Sequence, residues 1–118
     1  MHNYKELKLW QKAMDLIRLI YEITRSFPQE EKFGLINQIR RASVSIASNI
    51  AEGAGRNSDK EFIHFISIAT GSCYETETQL IIADRLNYTK ENETNFSLIN
   101  EIQKMLFVFS NKLKEKGT

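Results

Sequence analysis

Arg40 and Arg41, with Arg56 and Lys60 further along, are the side chains of this sequence best suited to an anionic partner. A guanidinium presents a planar fork of donors that matches two phosphate oxygens at once. Such contacts hold a protein on RNA or DNA without reading its bases. The same four residues also suit ion pairs, within the chain or between copies, to carboxylates such as Glu52, Glu75 or Glu77. Charge balance favours the ion pairs: 16 basic against 15 acidic side chains leave a net charge of +1. Nucleic-acid binders usually carry a clear basic excess. A basic patch assembled by bringing copies together stays open as the alternative.

Asn49, Glu52 and Arg56 cluster near the end of one segment, where a glutamate meets the negative pole of a helix and is poorly placed. The reading favoured is a polar lock that fixes the 52–58 loop through hydrogen bonds to its backbone. Glu75, near a suspected close helix crossing, belongs to the same set of structural polar residues. Glu75 and Glu77 are two apart, so on a helix they face different directions and form no catalytic dyad. Glu61-Phe62-Ile63-His64 spells one Glu-x-x-His, but a metal site in a helical bundle needs a second copy. Cys73, the only cysteine, reads as a small core residue. Gly53-Ala54-Gly55-Arg56 lacks the preceding strand that gives a glycine-rich phosphate loop its meaning. No catalytic, cofactor-binding or metal-binding residues are assigned, and no cofactor is expected.

The elements that position these residues are helices. Leu9, Ala13, Leu16, Ile20, Ile23 and Phe27 recur at helical spacing, with Trp10, Ile17 and Thr24 widening the stripe. Phe27-Pro28 stops the segment, because the residue before proline is pushed out of the helical region. Leu35, Ile39, Ala42, Ile46 and Ile50 mark a second helix, whose other positions are unusually small: Ser43, Ser45, Ala47, Ser48 and Ala51. Glu30 and Glu31 stand at its entrance and Gly53 and Gly55 at its exit. Ser58 to Glu61 has the spelling of a capping box for a third helix, and Phe62, Ala69, Cys73, Thr76, Leu80 and Ala83 carry its stripe. Gly71 in its middle predicts a tight crossing. Thr89 is placed to cap a fourth helix, striped by Phe96, Ile99, Ile102, Leu106, Phe109 and Leu113. The predicted spans are about 7–26, 31–53, 59–86 and 90–115. Short turns between amphipathic helices make the fold all-α, an antiparallel up-down-up-down four-helix bundle, one domain over residues 1–118.

A chain of 118 residues buries roughly two-thirds of its unfolded surface. One proline and five glycines are too few for an all-β fold. No apolar run approaches the roughly 18–20 residues that span a bilayer, so no membrane partner is expected. The opening MHNYKELKLWQKA lacks the apolar core and cleavage site of a secretory signal. With a lone cysteine, this predicts a cytoplasmic location. Trp10, Ile63, Ile81 and Ile82 lie off the core stripes, and exposed apolar surface of that extent marks an interface. The expected partner is therefore another copy of the chain, and no small-molecule substrate is inferred.

LWQKA at 9–13, the FP at 27–28, QIRRASVSIASNIAEGAGR at 38–56, KEFIHF at 60–65 and IATGSCYETETQL at 68–80 resemble one bacterial family. It comprises the four-helix-bundle proteins encoded in intervening sequences of 23S ribosomal RNA genes, often labelled as a ribosomal protein. The resemblance covers roughly residues 4–110. It implies an up-down bundle, a homopentamer with a central channel, and a molecular function not established for the family. A related branch, the accessory variability determinant of diversity-generating retroelements, is strongly basic and binds nucleic acid and a reverse transcriptase. The +1 charge here departs from that branch. Where the family usually has proline, this chain has Ala47, which predicts a straighter second helix.

Overall fold

Each helix of this chain ends where its local chemistry requires. The computed structural model describes residues 2–90 and 92–116. Helix α1 (Lys8–Thr24) follows a single 3₁₀ turn at Tyr4–Glu6, and a second such turn at Gln29–Glu31 precedes α2 (Leu35–Ala54). Helices α3 (Asp59–Arg85) and α4 (Glu93–Lys116) complete the described elements, among which there is no strand. The predicted start of α2 was about four residues early and that of α4 about three. Residue 91, inside the expected fourth helix, lies outside the described residues.

The α2 entrance explains the first shift. Pro28 begins a 3₁₀ turn, and α2 starts only after Gly34. The Glu31 carboxylate still serves the helix from a distance: its Oε1 accepts from the Leu35 N–H at 3.2 Å. Its Oε2 accepts from the Tyr88 hydroxyl at 2.8 Å, which ties the start of α2 to the turn after α3. That bond to a carboxylate holds the Tyr88 phenol above its usual range, with smaller contributions from burial and the nearby negative charge. Thr89 is not the α4 cap. Its hydroxyl donates to Asn92 Oδ1, and Asn92 in turn reaches Asp84.

The exit of α3 is built on Asn87 at φ 60°, a left-handed conformation that asparagine tolerates better than most residues. The Tyr88 N–H reaches back to the Ala83 carbonyl and the Asn87 N–H to that of Asp84. Both orphan carbonyls are thereby satisfied, the arrangement of a Schellman motif. Tyr88 also packs with Ala83, Phe27 and Leu35 in a small apolar cluster at this end of the bundle.

Four residues, 55–58, join α2 to α3, so the two run antiparallel. Ser58 Oγ accepts from the Glu61 N–H at 3.2 Å, as a capping serine should. The return bond differs from the expected box, because Glu61 accepts from the serine hydroxyl rather than its backbone. Each helix packs against its sequence neighbours, and α1 also packs against α4. No close approach joins α1 to α3 or α2 to α4 among the described residues. This is the neighbour pattern of an up-down-up-down bundle. At 27 residues α3 is about 40 Å long, nearly the 48 Å long axis of the molecule.

Leu16, Ile20, Ile39, Ile46, Ile50, Phe62, Ile66, Leu80, Ile99, Ile102 and Leu106 fill the core. In α1 the buried position is Thr24 rather than Ile23, because its hydroxyl is satisfied by the Ile20 carbonyl at 2.7 Å. Two of the four off-stripe residues are partly covered, contrary to expectation. Trp10 lies edge-on to Tyr4 at 5.2 Å and, like Ile63, packs against the core. Ile81 and Ile82 remain exposed.

The closest crossing lies at Gly53, not Gly71. A Cβ on Gly53 would stand 2.7 Å from Phe62 Cδ1 and 2.8 Å from Phe65 Cβ. A Cβ on Gly71 would meet nothing within 4 Å. Helix α2 runs without a break through Ala47, which is buried against the core.

Candidate interaction surface

Between α2 and α3, on the outer face, runs a groove floored by small and polar side chains. The two helices approach closely because α2 offers Ala42, Ser45 and Asn49 on this side. Ser45 Oγ and Ser72 Oγ lie 2.8 Å apart across the crossing. Asn49 Nδ2 donates to both the Ser45 carbonyl and its hydroxyl, at 2.8 and 2.9 Å. Asn49 therefore helps to hold the helix crossing. It sends no bond to the 55–58 backbone, where the Gly55 and Arg56 N–H groups bond carbonyls of the last turn of α2.

Towards the α2 N-terminus the groove opens into a concavity of about 470 Å³, with Phe33, Arg41, Glu75 and Gln79 in its lining. Arg41 projects from α2 and Glu75 from α3, and neither makes an ion pair among the described residues. Of the ion pairs expected within the chain or between copies, none involves Arg41 among the described residues. Gln79 is only 8% exposed, and its Oε1 has no hydrogen-bond donor. An orphaned buried amide oxygen costs about 1–3 kcal/mol. Phe33, 86% exposed, stands at the rim.

The four cations fall into two separated pairs with different environments. Arg40 turns inward: its Nε donates to Thr24 Oγ1 at 2.8 Å, and its guanidinium lies 4.5 Å from the centre of the Tyr21 ring. It ties α2 to α1. Arg56 sits at the other end of α2, roughly 22 Å along the axis from Arg41 by helical rise. Its guanidinium bonds Glu52 at 3.0 Å and covers the Phe65 ring at 4.7 Å. Both partners of that exposed pair are solvated, so the bond itself adds little stability. Lys60 is exposed near Arg56 in sequence, at the start of α3. Arg40 and Arg41 therefore do not form one patch with Arg56 and Lys60 within a single chain.

Glu75 and Glu77 diverge as their spacing predicts, since Glu77 accepts from Gln103 of α4 at 3.1 Å. His64 packs edge-on to Phe65. Among the described residues no group of three histidine, cysteine or carboxylate side chains is placed to hold a metal ion. No helix is long and apolar enough to cross a membrane. Cys73 is fully buried on α3. Burial pushes its thiol up to about 12, reinforced by the negative charge of Glu77.

Sequence reasoning missed Gln79 and Phe33, and took Thr24 as part of the α1 stripe without seeing its bond to Arg40. A signal for Gln79 exists: it lies seven residues from Ser72, two helical turns along the same side of α3, and both are buried polar positions.

The family model for the 23S rRNA-intervening sequence protein matches residues 5–108. A solved structure of a protein of unknown function from the S23 ribosomal protein family of Bacteroides thetaiotaomicron superposes with a TM-score of 0.77 at 26% identity. The match covers 86% of this chain and 97% of that one. No match is found among curated proteins. With the four-helix architecture, the sequence blocks and the family match in agreement over most of its length, the chain belongs to the 23S rRNA-intervening sequence protein family.

Proposed function

We propose that this chain is a non-catalytic scaffold of the cytoplasm that works as a homo-oligomer, with the pentamer implied by its resemblance as the assembly. The observation that supports this is apolar surface left over once the core is filled. On α3 and its C-terminal cap, Ile68, Tyr74, Ile81, Ile82 and Leu86 are each 38–55% exposed. A helix serving only one bundle confines its apolar residues to one stripe. Those of α3 extend well beyond it, and Phe107 and Val108 continue the pattern on α4. Surface of this kind is characteristic of protein interfaces. Sedimentation velocity at micromolar concentration tests the reading. A stable multiple of 13.7 kDa is expected, and a single species at 13.7 kDa rejects it.

Action as an RNA- or DNA-binding accessory has narrower support. Arg40 and Arg56 are engaged inside the chain, which leaves Arg41 and Lys60 to face a phosphate. Filter retention of structured RNA that falls steeply with added salt is the behaviour this alternative requires.

A further inference from the structure

We infer that a second copy of this chain docks on the α2–α3 groove, with Arg41 of one copy meeting Glu75 of its neighbour. The inference rests on the self-association proposed above and assigns it a surface. Three observations converge on this groove. It carries one cation on the α2 wall and one carboxylate on the α3 wall, and neither forms an ion pair among the described residues. A chain that presents both charges is complementary to itself, and its net charge of +1 gives copies no long-range reason to repel.

The second observation is Gln79, nine-tenths buried at the groove with an oxygen that lacks a donor. Its carboxamide makes no hydrogen bond among the described residues, and a chain docked over the groove can bring polar groups to it. The third is the outer face of α3. Gly71 leaves open space above the helix, between the exposed Ile68 and Ile82. A neighbouring backbone can approach there and cover apolar surface that a lone chain leaves in water.

The test compares wild type with Arg41→Glu, Glu75→Arg and the double charge exchange by sedimentation velocity, with melting curves to confirm folding. Each single reversal sets like charges against each other. The dissociation constant should rise by roughly tenfold or more, and the double exchange should recover most of the loss. Gln79→Leu, which removes the orphan oxygen, is expected to weaken association while leaving the dilute chain at least as heat-stable. Single reversals that keep the wild-type mass overturn the assignment of this groove, even if the protein is multimeric. A double exchange that recovers nothing also overturns the Arg41–Glu75 contact. Loss of RNA retention in Arg41→Glu with unchanged mass overturns it in favour of a nucleic-acid occupant. A wild type of 13.7 kDa instead rejects the self-association on which the inference rests.

Discussion

Placing a methyl group on Gly53 is the sharpest test of how α2 and α3 fit together. The added Cβ would lie 2.7 Å from Phe62 Cδ1, and ordinary contact begins at 3.4 Å, so the local spacing must grow by 0.7 Å (3.4 − 2.7). Phe62 is fully enclosed by the core and cannot swing aside. Phe65 contributes its own Cβ at 2.8 Å, an atom fixed to the α3 backbone. Relief therefore requires the helices to part. Overpacking of this kind costs about 1–3 kcal/mol, and alanine returns at most about 1 kcal/mol of helix propensity. The return is smaller here because Gly53 lies in the last turn of α2. Gly53→Ala should thus lose about 1–2 kcal/mol and lower Tm by roughly 4–8 °C. Gly71→Ala is the internal control: its Cβ meets nothing, and the site is mid-helix. In dilute chain it should gain about 0.5–1 kcal/mol. Thermal melts or urea titrations of both variants decide the matter. A Gly53→Ala protein as stable as wild type refutes the close-approach argument.

Removing Arg40 should weaken the fold. Arg40→Ala loses the bond to Thr24 and the contact with the Tyr21 ring, about 1–2 kcal/mol together by urea denaturation. At the α3 exit, Asn87→Gly should be neutral or slightly stabilising, whereas Asn87→Val should cost about 1–2 kcal/mol in the same assay, because only the latter strains the left-handed backbone. The Cys73 thiol should resist a disulfide reagent at pH 8 in the native chain and react fully in denaturant. Its folded value near 12 lies above the ordinary 9.0, so the neutral thiol is favoured by folding. That contribution is complete below pH 9 and is lost as pH rises from 9 towards 12, which a series of melts for wild type and Cys73→Ala can compare.

The architecture was legible because apolar spacing is a direct record of which side of a helix meets the core. The stripes of α2 and α3 recur almost unchanged in the buried residues. Boundaries were less legible where a distant side chain serves a helix end. Glu31 caps α2 from four residues away while bonding Tyr88, a partner 57 positions distant that no local pattern reveals. Gly71 misled for a related reason: glycine in a helix marks close approach or mere tolerance, and spacing does not tell them apart. The candidate surface was half legible. Arg41 and Glu75 stood out by charge, but a groove between them depends on the α2–α3 crossing, and Arg40 was indistinguishable from Arg41 until Thr24 and Tyr21 were in place beside it.

The four-residue link between α2 and α3 has a kinetic consequence. Closing so short a loop costs little chain entropy, and the pair it joins has the most extensive helix–helix contact of the molecule. This hairpin should form early and open last, with α1 and α4 docking onto it afterwards. Native-state hydrogen exchange reads that order directly: central amides of α2 and α3 should be the slowest to take up deuterium. Slower exchange in α1 and α4 would reverse the sequence of events.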